Sequence, residues 1–123
     1  MLMADLRRRG VRVIVVTAVY NQAAAGVFDQ ATRAAFSHGR LWGMGFRYGE
    51  HYDGLYAVPL MHDGIATGIA KGSVLHEERP VLHVDDDPGV VEGMMETCPA
   101  HLFDGDLLAV TRAIDAALEA AEE

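Results

Sequence analysis

Cysteine is nearly absent. Cys98 stands alone in 123 residues, which leaves no internal disulfide and no thiolate pair for a metal. No apolar run approaches the about 18 residues of a membrane-spanning helix. The opening Met-Leu-Met-Ala-Asp-Leu-Arg-Arg-Arg lacks the order of a secretory leader, in which charge precedes an apolar core. Basic groups are also scarce: ten Lys and Arg stand against eighteen Asp and Glu, a net charge of −8. That sign opposes the phosphate attraction on which nucleic-acid affinity rests. These absences predict a cytoplasmic protein that binds neither membrane nor nucleic acid. Familiar nucleotide and hydrolase signatures are missing as well. There is no Gly-x-Gly-x-x-Gly between strand and helix, no Walker loop, no Gly-x-Ser-x-Gly elbow and no His-Glu-x-x-His. No motif identifies a cofactor.

Half the residues are hydrophobic, enough for a packed core, and the length suits one domain spanning residues 1–123. Charge is unevenly spread. Residues 1–47 hold seven arginines against Asp5 and Asp29, a balance of +5, and residues 48–123 hold three bases against sixteen acids, a balance of −13. No Pro/Gly/Ser-rich linker separates the halves, so the acids are expected on solvated helices. The alternative is a subunit contact between a basic and an acidic face, which makes the chain a candidate homo-oligomer.

Val11 to Tyr20 is almost continuously apolar and β-branched, which suits a strand covered on both faces. Asn21 is a good N-cap, and Ala24, Val27, Phe28, Ala31 and Ala35 recur at helical spacing until Gly39, a candidate C′ residue. Residues 40–48 read as a glycine-weakened strand with Trp42, Met44, Phe46 and Tyr48 on a buried face. Leu55 to Met61 is a further strand, with Pro59 removing one ladder donor.

Residues 64–74 are open to two readings, a hairpin strand after Asp63-Gly64 or a helix in which Gly64, Gly68 and Gly72 form a smooth face. The helix is favoured. Three helical glycines cost about 3 kcal/mol relative to alanine, tolerable only where close packing offsets them. Val81 to Val84 is a short strand, and Asp87-Pro88 opens a helix that Cys98-Pro99 stops. A last helix runs from Asp106 with Leu107, Val110, Ile114 and Leu118 inward. The sum is an α/β fold with a single three-layer, mainly parallel sheet of flavodoxin-like type.

In such sheets ligands lie beyond the carboxyl ends of the strands. Three stretches qualify. Tyr20 and Asn21 follow the first strand, Tyr20 as a ring that stacks on a planar ligand and Asn21 opening a helix that offers N–H groups. His62 beside Asp63 is an acid/base candidate with a charge-raising neighbour, and these two are the expected catalytic residues. Asp85 is a candidate substrate contact. His83 and Asp85 share one side of a strand, a geometry that would hold a metal with Asp87 or His76 as a third ligand, although no metal is expected. Cys98, at a helix end, reads as a structural thiol.

The segment order resembles lumazine synthase, the riboflavin-pathway enzyme of flavodoxin-like fold. Residues 13–21, Val-Ile-Val-Val-Thr-Ala-Val-Tyr-Asn, look like its first strand with the terminal aromatic and asparagine. Tyr52-Asp53 and Leu55 to Met61 are similar to its third strand. Ala66 to Ser73 and Pro80 to Val84 match its later helix and fourth strand. The family's Pro-Gly-[Ala/Ser]-Phe-Glu-[Ile/Leu]-Pro segment has no counterpart between Tyr48 and Leu55. Its Gly-Glu-Thr-x-His loop is absent, and His62 precedes Gly64. The resemblance implies Tyr20 and Asn21 as ring-binding residues. Two functional expectations follow. One is a small-molecule-binding protein, or an enzyme or enzyme remnant, acting on a planar or phosphorylated metabolite. The other is a non-catalytic binding or self-assembly protein that uses an exposed apolar face at 64–72.

Overall fold

A computed structural model describes residues 2–19, 30–60 and 63–122. Helices and strands are mixed, and the chain gathers into two compact units, residues 1–60 and 61–123. Among the described residues the strands form two parallel pairs.

The first unit comprises α1 (Leu2–Arg8), β1 (Ile14–Val19), α2 (Gln30–Gly43) and β2 (Gly54–Pro59). Gly10, at φ 83°, ends α1, with the Val11 N–H donating to the Leu6 carbonyl and the Gly10 N–H to that of Arg7. This left-handed glycine stop is available only where no Cβ opposes positive φ. β1 and β2 pair in parallel, Ile14 opposite Gly54 and Val19 opposite Pro59, and α2 packs on both. Pro59 takes the last position of its strand, where a missing donor matters least. Asp53 fixes the entry to both strands. Its Oδ1 accepts from Arg7 Nε at 2.9 Å, its Oδ2 from the Val13 N–H at 2.9 Å, and its own N–H donates to the Val13 carbonyl at 2.7 Å. The Arg7 and Val13 hydrogen bonds hold this carboxyl below its ordinary pKa.

The helix expected to stop at Gly39 continues to Gly43, which corrects the strand read over 40–48. The true stop is Gly45, at φ 94°, with Gly45 donating to Trp42 and Phe46 to the Leu41 carbonyl. Alternation of glycine with large apolar residues mimicked strand periodicity across a helix end. The face expected to be buried is open: Trp42, Met44 and Tyr48 are 63%, 67% and 65% exposed.

The second unit comprises α3 (Gly64–Leu75), β3 (His83–Asp85), α4 (Pro88–Met94), β4 (Ala100–Leu102) and α5 (Leu107–Glu122). α3 is the helix favoured above, capped by Asp63, whose side chain accepts from the Ile65 N–H at 3.0 Å. Asp87 caps α4 with Pro88 in its first turn. β3 and β4 pair in parallel across α4, His83 opposite Ala100 and Asp85 opposite Leu102. Leu75, Val90, Val91, Met94, Cys98 and Val110 are buried, and burial pushes the Cys98 thiol pKa up, as suits a structural thiol.

The glycine face of α3 packs on α4. A Cβ on Gly68 would stand 2.2 Å from the Val90 carbonyl oxygen, and one on Gly93 would stand 2.2 Å from that of Ile65. At Gly72 the obstacle is the Thr97 side chain, 2.6 Å away. The glycine side is therefore occupied within the chain, and what the segment leaves open to a partner is its isoleucine side. Ile65 and Ile69 remain 37% and 45% exposed. Gly68→Ala should destabilise the protein by about 1–3 kcal/mol through overpacking. Gly39→Ala, in a helical position with nothing within 4 Å of the new Cβ, should stabilise it by about 0.5–1 kcal/mol. Urea unfolding midpoints of both variants check the pair.

Candidate functional site

Lys71 is the only lysine of the chain. It projects from an apolar, glycine-rich helix and is 7% exposed. Its Nζ donates to Asp85 Oδ2 at 2.7 Å, and His83 Nε2 lies 3.1 Å from the same oxygen. Asp85 Oδ1 accepts from the Asp87 N–H at 3.2 Å. The side chains of Lys71, His83 and Asp85 are 8%, 10% and 10% exposed. Asp85 is the last residue of β3 and His83 the first, two apart on one face, while Lys71 reaches them from α3. Three ionisable groups therefore meet at the carboxyl end of a parallel strand, each with about a tenth or less of its side chain exposed.

Burial works against the Asp85 charge. Hydrogen bonds from His83 and Lys71, the ammonium charge and the Asp87 N–H outweigh it and hold the carboxyl well below the usual range. An ionised carboxylate only accepts, so Nε2 of His83 carries the proton of this bond, and in the neutral imidazole the lone pair is then at Nδ1. Nδ1 has no hydrogen bond among the described residues. An imidazole oriented by a carboxylate, with its second nitrogen unbonded, is chemically a proton acceptor or a hydrogen-bond acceptor toward a ligand.

Of the residues singled out in the sequence, Asp85 lies in this cluster. Asp63 is exposed, with its carboxylate committed to capping α3. Tyr20, Asn21 and His62 lie outside the described residues. The strands before them end side by side, Val19 opposite Pro59 with the Leu60 N–H donating to the Val19 carbonyl at 2.9 Å. The shared face of His83 and Asp85 is as expected. Among the described residues no group of three His, Cys, Asp or Glu side chains is placed to hold a metal. The Lys71 ammonium bonds the Asp85 oxygen a cation would need, and Asp87 Oδ1 accepts from Gly89 N at 2.9 Å. Lys71 itself was missed. Its signal was its uniqueness, a lone lysine in a segment otherwise apolar or small.

A depression of about 240 Å³ lined by Arg7, Gly10, Val11, Arg12 and Asp53 lies at the amino ends of β1 and β2. Arg7 and Asp53 are bonded to each other there, at 2.8 Å between Nη2 and Oδ1. This is the opposite strand end from the one where α/β folds bind ligands.

No family model, curated protein or solved structure matches the chain.

Removing the Asp85 charge leaves a buried ammonium unpaired, so Asp85→Asn should cost about 3–5 kcal/mol at neutral pH. The Asp85 pKa is depressed on folding. Its contribution is thus complete above the ordinary carboxylate range and is lost as pH falls from there toward the folded value. The stability difference between parent and Asp85→Asn should therefore be flat near neutrality and shrink below about pH 4. Urea titrations across that range measure it.

Proposed function

We propose that the chain is a small-molecule-binding α/β protein whose ligand sits at the carboxyl end of β3 and is met by His83. The observation that carries the reading is the Asp85-anchored imidazole, whose Nδ1 has no hydrogen bond among the described residues. In the catalytic form of the proposal, Nδ1 takes a proton from the ligand, and the resulting imidazolium is stabilised through Nε2–H by Asp85. Lys71 keeps Asp85 ionised in its buried setting, so that Nε2 rather than Nδ1 holds the resting proton.

The narrower form of the proposal is a lumazine-synthase-like transfer on a planar or phosphorylated metabolite, in a flavodoxin-like three-layer domain. Residues 13–21 and the helix-crossed parallel strand pairs support it. His62 and Asp63 are its proposed catalytic residues, and Tyr20, Asn21 and Asp85 its proposed substrate contacts. A second reading, an assembly protein, is favoured by exposed apolar side chains such as Trp42, Leu107 and Leu108.

A thermal-shift screen of flavin and pterin precursors, sugar phosphates and nucleotides tests the first reading. A ligand that binds only the folded chain raises its melting temperature by mass action. The expected result is a stabilising hit that is lost in His83→Gln, which retains a donor for Asp85 and removes Nδ1. A hit unchanged in His83→Gln places the site elsewhere, and a panel without hits removes the ligand class.

A further inference from the structure

The end of α2 presents side chains that none of the described residues covers. Trp42 and Tyr48 are 63% and 65% exposed. The Arg47 guanidinium lies 3.5 Å from the Trp42 ring centroid, and its Nη1 donates to the Trp42 carbonyl at 2.7 Å and the Phe46 carbonyl at 3.2 Å. Its Nε and Nη2 make no hydrogen bond among the described residues. His38, one helical turn before Trp42, carries Tyr48 edge-on with centroids 5.6 Å apart. Trp, Tyr and Arg are the residue types on which binding energy concentrates. Here they form one surface, with the guanidinium held flat on the indole and one donor edge open. Such an edge fits a carboxylate in a two-pronged bond. Residues 30–48 carry three arginines and no acid.

The complementary surface is in the same sequence. α5 is a 16-residue helix in which Val110 is the buried residue. Leu107 and Leu108 are 52% and 58% exposed at its start. Residues 104–122 hold five acids against Arg112, and Asp104, three residues before Leu107, is exposed.

We infer that the Trp42–Arg47–Tyr48 surface is a self-association site whose occupant is α5 of a second copy, with the leucines against the rings and a carboxylate on Arg47. The contact joins two different patches, so it is either made twice in a reciprocal dimer or repeated head-to-tail in a ring or a chain of copies. Charge carries part of the attraction, and salt weakens it.

Sedimentation and light scattering at micromolar concentration test this. The parent should associate at about 50 mM salt and shift toward monomer at about 500 mM. Trp42→Ser, an exposed position, and Leu107→Ser with Leu108→Ser should each weaken association about tenfold or more, with unchanged circular dichroism. Arg47→Glu should weaken it too, and adding Asp104→Arg, three residues before the leucines, should restore part of the loss, which a merely misfolded turn would not allow. A monomer under all conditions overturns the proposal. So does association that survives Trp42→Ser. Association lost in Trp42→Ser but untouched by the leucine changes shows a different occupant and overturns it equally.

Discussion

The close approach of α3 and α4 is the constraint on which the second unit depends. Backbone meets backbone at Gly68 and Gly93, where any side chain would collide with a carbonyl oxygen of the facing helix. The approach sets two capped helix starts side by side. A Cβ on Gly64 would stand 3.1 Å from Asp87 Oδ1 and 3.2 Å from the Gly89 Cα. It also anchors the helix that carries Lys71 beside the strand that carries Asp85. The glycines, weak helix formers, are retained because contact supplies what propensity withholds.

The polar cluster is an ion pair in a setting where ion pairs are costly. Dehydrating an ammonium and a carboxylate costs several kcal/mol each, and their attraction repays this only with good geometry and satisfied lone pairs. Both Asp85 oxygens are bonded here, and among the described residues no buried side-chain nitrogen or oxygen is left without a partner. Apolar side chains of similar volume are often as stabilising as a buried ion pair. The charges instead fix the tautomer of one histidine, a chemical property that packing alone does not confer.

Much of the second unit was readable because its signals are local. Asp87-Pro88 announces a cap, three glycines at intervals of four announce a helix face, and the alternation of His83 and Asp85 announces a shared side. What escaped depends on distance or on brevity. β4 has three residues with no run to notice, and α1 opens the chain with too few residues for periodicity to show. The strand misread at 40–48 shows a two-residue alternation arising by chance across a helix end, where Gly45 rather than Gly39 takes positive φ. Within the candidate site, the partnership of Lys71 with Asp85 spans fourteen residues and two elements, so no window of sequence contains it as a pattern.

The seclusion of the chain's one lysine has a chemical consequence. Acylating, alkylating and carbonyl reagents that seek side-chain amines find a single target, and it is shielded from solvent and committed to a carboxylate. Reaction at that nitrogen waits for α3 and β3 to part locally, so its rate is a clock for the opening of one region of the molecule. A protein rich in surface lysines offers no such single-site clock.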